Sequence, residues 1–310
     1  MDNLCSIITY SINTNKTFKY EIHYNILMRF KNILLKHPIL FLFIIIVIIT
    51  FSLIIVSQIT ADNSDTEELP VEEKIEVIPY KDYDWNHLYG YKKLRYYDEK
   101  YTSMFGIDVA AHQETIDWKK VAEDGVEFAY IRIGYRGAEE GKLNKDLEFE
   151  NNYAGALKYG IKVGIYWYSQ PISKEEAIEE AQYVISILDG RHLDLPIVYD
   201  FEETEFFDGT ISRIHGMTRQ SRTVMASSFL NEMKNNGYDC MIYTNLYWSK
   251  TYYDWSMLLD YPIWLAQYDT RWPVYDRPFV MWQYSEEGLI NGIEKPVDLN
   301  IMFIRRNDQN

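Results

Sequence analysis

The strongest constraint on the fold is the regular alternation of short apolar runs with amphipathic segments between Met104 and Phe303. Runs rich in β-branched and aromatic residues have the length of strands, whereas the longer segments have helical periodicity. The predicted strands are Phe105–Ala110, Phe128–Tyr135, Lys162–Ser169, Pro196–Glu202, Asp239–Asn245, Pro262–Tyr268, Phe279–Ser285 and Pro296–Phe303. The predicted helices are Asp117–Asp124, Lys145–Tyr159, Lys174–Leu188 and Thr218–Asn236.

The order of these elements predicts the fold class. Helices separate the early strands, and shorter loops separate the late ones. A chain of this kind favours an α/β fold with a parallel-type barrel. We therefore predict an irregular (β/α) barrel of about eight strands over residues 102–310, with helices missing towards the C-terminal end.

A second segment, residues 39–56, is apolar and contains no charged residue. With its flanks it is long enough to cross a hydrocarbon core of about 30 Å at 1.5 Å per helical residue. Basic residues outnumber acidic ones before it, and acidic residues follow it, so residues 1–37 are expected to stay in the cytoplasm. We predict one transmembrane signal anchor over residues 38–59 and an extracellular barrel. A cleaved signal peptide and a secreted product are the alternative.

Residues 60–101 are predicted to form a linker that is first acidic and then rich in tyrosine. The acidic part has the composition of a solvated stalk. The tyrosines have three possible roles: packing on the barrel, binding glycan, or lying at the membrane interface. Packing is favoured, because the rings would otherwise be exposed in a polar linker.

Composition excludes two classes of partner. The formal net charge of −15 repels phosphate backbones, so nucleic acid is not expected to bind. The six histidines and two cysteines show no paired metal-ligand spacing, so we predict no transition-metal site and no cofactor. Carboxylate-bound Mg²⁺ or Ca²⁺ stays an open alternative.

Two acids, Asp200 and Glu202, end the apolar run that begins at Leu195. In a strand, residues i and i+2 point to the same face, about 6 to 7 Å apart. Two carboxylates held together out of water have pKa values pushed apart, so one is protonated and the other ionised near neutral pH. Glycosidic bond cleavage needs that combination. The alternative is that both acids are solvated loop residues.

Two further acids lie at the ends of other predicted strands. Asp108 follows Phe-Gly-Ile, and Asp298 lies within Pro-Val-Asp-Leu-Asn. In a barrel of this class the functional residues come from the C-terminal ends of several strands. An acid in apolar surroundings is costly to bury and is often functional, although a cap or turn role is the alternative at both positions.

Aromatic side chains also collect at the predicted strand ends. Sugar rings have flat apolar faces on which aromatic rings stack. The candidate substrate-binding residues are Tyr166, Tyr168, Tyr243, Trp264, Tyr268 and Trp282. The alternative for each is an ordinary place in the barrel core.

Eight spaced blocks together resemble the family-25 glycoside hydrolases, the muramidase type of lysozyme. The blocks are Gly106–Gln113, Ile116–Trp118, Phe128–Tyr135, Gly164–Ser169, Asp200–Glu202, Ile263–Tyr268, Trp282–Ser285 and Val297–Asn300. Departures from the usual pattern are Ala110, Glu114 and the stretch from Arg132 to Arg136. Because all four acids are present, these departures indicate altered substrate contacts rather than lost chemistry.

The resemblance implies an irregular β/α barrel that hydrolyses the β-1,4 bond between N-acetylmuramic acid and N-acetylglucosamine in peptidoglycan, with retention of configuration. By position in the blocks, Glu202 would be the proton donor, and Asp200 would orient the substrate's acetamido group or stabilise the positive centre. Asp108 and Asp298 would complete the acidic pocket. Peptidoglycan glycan strands would be the partner.

Two other functions stay open at this point. One is a non-catalytic protein that binds peptidoglycan through the same barrel. The other is a chitinase-like hydrolase of N-acetylglucosamine polymers, because those barrels also place Asp-x-Glu at a strand end. The chain has no Asp-x-x-Asp-x-Asp-x-Glu run before Glu202, which speaks against the chitinase.

Overall fold

The computed structural model describes Thr50, residues 79–204 and residues 209–306, and all of these except Thr50 belong to the unit Glu73–Asn310. Its strands are β1 (Leu88–Tyr89), β2 (Arg95–Tyr96), β3 (Tyr101–Val109), β4 (Phe128–Arg136), β5 (Leu143–Lys145), β6 (Lys162–Tyr168), β7 (Ile197–Asp200), β8 (Cys240–Asn245), β9 (Ile263–Ala266), β10 (Met281–Gly288) and β11 (Val297–Arg305). Its α-helices are α1 (Trp118–Glu123), α2 (Phe149–Lys158), α3 (Lys174–Leu188), α4 (Arg219–Asn235) and α5 (Leu246–Thr251).

Eight strands close into a barrel in the order β3, β11, β10, β9, β8, β7, β6, β4, and β4 pairs again with β3. The eight-stranded barrel with helices confirms the predicted core architecture. One part of the prediction is wrong, because the last strand is not parallel: β11 runs antiparallel to both β10 and β3. The physical reason is the short connection between β10, which ends at Gly288, and β11, which begins at Val297, since a parallel pair needs a crossover of about a dozen residues or more.

Side chains alternate between the inside and the outside of the barrel. On β7, Val198 faces inward, whereas Ile197 and Tyr199 face outward beneath the helices. The inner core contains Phe128, Tyr130, Val198, Met241, Trp264, Met281 and Met302. The interior is therefore filled, and room for polar groups exists only at the rim where the parallel strands end.

The helices cover the outer face of the earlier strands. α3 begins after Ser173, whose hydroxyl accepts a hydrogen bond from the Glu176 amide. α4 begins after Thr218, whose hydroxyl accepts a hydrogen bond from the Ser221 amide. Such caps satisfy amides that have no partner within the helix. The apolar faces of both helices, including Val184 on α3, belong to the outer core.

The face over β10, β11 and β3 is covered differently. Among the described residues no helix lies between β9 and β11, so the outer face of these strands would be bare. Residues 79–100, here called the strap, lie across it. Tyr83 and Tyr96 are buried there against Phe279 and Phe303. The described part of the tyrosine-rich segment thus replaces the missing helices.

The strap is also held by backbone pairing. Tyr80 exchanges two hydrogen bonds with Phe279, of 3.1 and 2.9 Å, just before β10 begins. The predicted domain boundary at residue 102 lies one residue inside β3, which starts at Tyr101.

The predicted transmembrane anchor, residues 38–59, lies outside the described residues apart from Thr50. In the part of the chain that the structure describes, no helix combines the length and apolarity needed to span a membrane.

Candidate active site

A cleft of about 250 Å³ opens at the barrel rim where the parallel strands end. The four predicted acids, Asp108, Asp200, Glu202 and Asp298, all line it. Asp298 lies at the beginning of its strand rather than at the end. It still reaches the same rim, because β11 runs antiparallel to its neighbours.

Asp200 and Glu202 form the first carboxyl pair. They lie two residues apart at the end of β7, and both line the cleft. Tyr199, which precedes Asp200, and Phe201, which lies between the two acids, are buried on the outer side of the barrel. Burial and repulsion from Glu202 raise the pKa of Asp200 well above its ordinary value. Removal from bulk water raises the pKa of Glu202 to about 7. The pair therefore holds a proton near neutral pH.

Asp108 and Asp298 form the second pair. They lie directly opposite each other across β3 and β11, where side chains are close neighbours and like charges repel. Burial, with the Asp108 charge beside it, raises the pKa of Asp298 to about 9. Burial raises the pKa of Asp108 to about 6, and hydrogen bonds from two side-chain amides keep this pKa from rising further. Asp298 is thus the protonated member of this pair at neutral pH.

The two amide donors to Asp108 come from Gln283 and Asn300, at 2.9 and 2.7 Å from its Oδ2. Asn300 is itself oriented by the indole N–H of Trp264, and Gln283 accepts hydrogen bonds from the hydroxyls of Tyr243 and Tyr268. A fixed set of donors of this kind keeps a carboxylate ready in one orientation.

Five of the six candidate aromatics line the cleft: Tyr166, Tyr168, Tyr243, Trp264 and Tyr268. Trp264 forms the floor, since it is buried against Tyr130. Trp282 is not brought to the cleft. It faces the outer core and packs against Trp85 of the strap, because its neighbour Gln283 faces inward and successive residues of a strand alternate.

Sequence reasoning missed Gln283, Asn300 and Arg132. Asn300 could have been found, because it lies two residues after Asp298 and so shares its face. Arg132 could also have been found, since it continues the inward series of Phe128 and Tyr130 on β4. Gln283 carried no such signal, because the sequence did not show which face of β10 points inward.

The main chain around Glu202 is clamped from two sides. The Gln170 side chain donates to the Glu202 carbonyl, at 2.5 Å. On the other side, the carboxylate of Glu203 accepts hydrogen bonds from Arg222 and Tyr252, both at 2.9 Å. These contacts hold Glu202 in place, although it lies two residues beyond the end of β7.

The arrangement supplies a protonated carboxyl, an ionised carboxyl and aromatic walls in one small cleft. These groups suit acid catalysis on a sugar, with stabilisation of a cationic transition state. Among the residues that the structure describes, no group of three or more His, Cys, Asp or Glu side chains has the geometry of a metal site.

Comparison with known proteins places the chain among glycosidases. The model of the family "Glycosyl hydrolases family 25" matches residues 107–293. The autolytic lysozyme of Clostridium acetobutylicum is 31% identical over 197 residues, which cover 64% of this chain and 55% of the lysozyme. The matched region thus spans about half the length of that relative.

Solved structures agree on the fold. A bacterial lysozyme from Streptomyces coelicolor is 28% identical with a TM-score of 0.51, covering 64% of this chain and 90% of that one. The modular autolysin LytC from Streptococcus pneumoniae, solved in complex with a synthetic peptidoglycan ligand, is 24% identical with a TM-score of 0.57. That match covers 64% of this chain and 46% of LytC, and it supports the fold alone.

Proposed function

Since this chain belongs to family 25 of the glycosyl hydrolases, we propose that it is an N-acetylmuramidase of peptidoglycan. It would hydrolyse the β-1,4 bond between N-acetylmuramic acid and N-acetylglucosamine. The observation that carries the proposal is the convergence of two carboxyl pairs in one aromatic-lined cleft at the barrel rim. The clostridial relative, named a lysozyme, supports the same activity.

The surroundings of the acids support a role for each. Glu202 is partly exposed to the cleft and has a pKa raised to about 7, so it suits the proton donor to the leaving oxygen. Asp200 is more deeply buried beside it and would orient the acetamido group or stabilise the cationic sugar. Asp108, held by Gln283 and Asn300, would add fixed negative charge, with Asp298 as its protonated partner.

Product analysis tests the proposal. When the full-length protein digests peptidoglycan, we expect soluble fragments whose new reducing end is N-acetylmuramic acid, identified by mass spectrometry after borohydride reduction. A reducing N-acetylglucosamine would contradict the bond assignment. Retention of glycan without any soluble fragment would indicate a binding protein, and faster release from chitin oligomers would indicate a chitinase-like enzyme.

We also propose that the protein is anchored in the cell membrane by a single segment within residues 38–59, with the barrel outside the cell. The support is the uncharged apolar run and the charge asymmetry around it. On cell fractionation, we expect the full-length chain in the membrane pellet, resistant to carbonate washing and degraded by protease added to protoplasts. Recovery of a shortened chain in the medium would instead show that the segment is cleaved.

A further inference from the structure

One cation lies in the otherwise acidic cleft. Among the described residues that line the cleft, Arg132 carries the single positive charge, facing Asp108, Asp200, Glu202 and Asp298. It stands on β4 in register with Tyr166 of β6, two strands from Asp200. The β4–β6 pairing is irregular immediately after Arg132, and irregularities of this kind often re-aim side chains beside active sites.

Arg132 is hydrogen-bonded through one nitrogen, and its guanidinium lies over the Tyr135 ring, 5.2 Å from the centroid. Its Nε donates to Asp146 Oδ2 at 2.7 Å, and the Asp146 side chain is only 1% exposed. Asp146 is held in turn by the amides of Ala111 and Glu148. Within the described part of the chain, the structure gives no hydrogen bond to either terminal nitrogen of Arg132, and its side chain remains 15% exposed. The end of the guanidinium is therefore free to donate to a ligand.

This geometry is typical of a recognition group rather than of a structural ion pair. A guanidinium anchored at Nε presents its two terminal nitrogens as a planar fork, which matches a carboxylate. The other ionisable side chains that line the cleft are acids and tyrosines, so none of them attracts an anionic substrate group, and an acid that is ionised repels it. An anionic group on the substrate thus has one favourable position, beside Arg132 and next to Tyr166 and Tyr168.

We propose that Arg132 is a specificity-determining residue that binds a carboxylate carried by the muramic acid unit. The inference rests on the proposed function and adds a preference for substrate charge. Muramic acid differs from N-acetylglucosamine by a lactyl ether on C3, which neighbours the acetamido group on C2. If Asp200 faces the acetamido group, the substituent on C3 falls within the same region of the cleft as Arg132.

The carboxylate has two possible sources. In glycan strands without peptides, the lactyl group itself ends in a carboxylate. In strands with stem peptides, that group is an amide, and the carboxylates belong to the peptide. Both sources present the same chemistry to Arg132, and neither is present in polymers of N-acetylglucosamine.

The test compares three glycans that differ in charge, using the full-length protein. They are peptide-free strands prepared with an amidase, the same strands with their carboxylates converted to methylamides, and strands that keep their stem peptides. The readout is kcat/KM from the release of reducing ends at pH 6. We expect wild type to prefer the free acid to the methylamide by about 10- to 100-fold, the range of one charge-assisted hydrogen-bond pair.

In Arg132→Gln this preference for the free acid over the methylamide should fall below about threefold. Arg132→Lys should keep part of it, because the charge remains without the fork. Arg191→Gln is the matched control, since Arg191 pairs with Glu150 away from the cleft, and its preference should equal that of wild type. The single change Arg132→Gln leaves the buried Asp146 carboxylate without its ion-pair partner, which could unfold the protein. The double variant Arg132→Gln with Asp146→Asn removes both charges and serves as the folded variant in that case.

Each result bears on the inference. An Arg132-dependent preference on peptide-free strands identifies the lactyl carboxylate, and one confined to peptide-bearing strands identifies the stem peptide. Equal preference in wild type and both Arg132→Gln variants overturns the inference while leaving the muramidase intact. Failure of wild type to cleave any of the three glycans overturns the proposed function, and the inference with it.

Discussion

Replacing Glu202 with Gln is expected to lower kcat on peptidoglycan by about 10² to 10⁴, the usual cost of losing a positioned general acid. Gln keeps the shape of the side chain but has no proton to give to the leaving oxygen. The fold should survive, because the change removes a carboxyl that is crowded against Asp200. The measurement is the initial rate of reducing-end release at saturating substrate, with thermal unfolding as the check on folding.

The pH profile gives a second readout of the same residue. The pKa of Glu202 is raised to about 7, so the protonated form is present below that pH and lost above it. Wild-type kcat/KM should therefore fall as the pH rises through about 7, and the residual activity of Glu202→Gln should not show that limb. Glu287→Gln is the matched control, since Glu287 is exposed and faces away from the cleft. Equal rates for wild type and Glu202→Gln would remove Glu202 from the mechanism.

Removing the strap is expected to abolish stable folding. A fragment of residues 102–310 lacks the buried Tyr83 and Tyr96 and exposes Phe279 and Phe303 to water. Each buried aromatic contributes on the order of 2 to 3 kcal/mol, and domains of this size are stable by only about 5 to 15 kcal/mol. Compared with residues 79–310, this fragment should show no cooperative thermal transition and should bind a hydrophobic dye.

Point substitutions separate the strap's packing from the effect of truncation. Tyr83→Ala should lower the free energy of unfolding by about 3 kcal/mol, because the ring stacks on Phe303 and its hydroxyl donates to the Phe279 carbonyl. Tyr91→Ala is the control, since Tyr91 is 92% exposed, and it should change stability by less than about 0.5 kcal/mol. A fully stable fragment of residues 102–310 would show that the strap does not contribute to the stability of the barrel.

Local pattern was enough to find the barrel. All eight predicted barrel strands and all four predicted helices are present, because short β-branched runs and amphipathic segments report burial directly. The clustering of Asp108, Asp200 and Glu202 was predictable for the same reason, since parallel strands bring their ends to one rim. The short β5 and α5 were missed, because three to six residues carry too little periodicity.

What escaped prediction depends on contacts distant in sequence. The direction of β11 follows from its short connection from β10 together with its pairing with β10 and β3, and no residue within Val297–Arg305 reports it. The outward orientation of Trp282 follows from that same register. The Trp282 ring packs against Trp85 of the strap, which lies about 200 residues earlier in the chain.

The pairing of Tyr80 with Phe279 also determines how the enzyme can be held. Phe279 precedes β10, so this pairing lies at the end of the barrel opposite the cleft. A tether joined to residue 79 is therefore attached to the barrel at the end opposite the cleft. Attachment to a bead or a surface through that end should preserve access to insoluble glycan, whereas attachment through a loop at the rim should not.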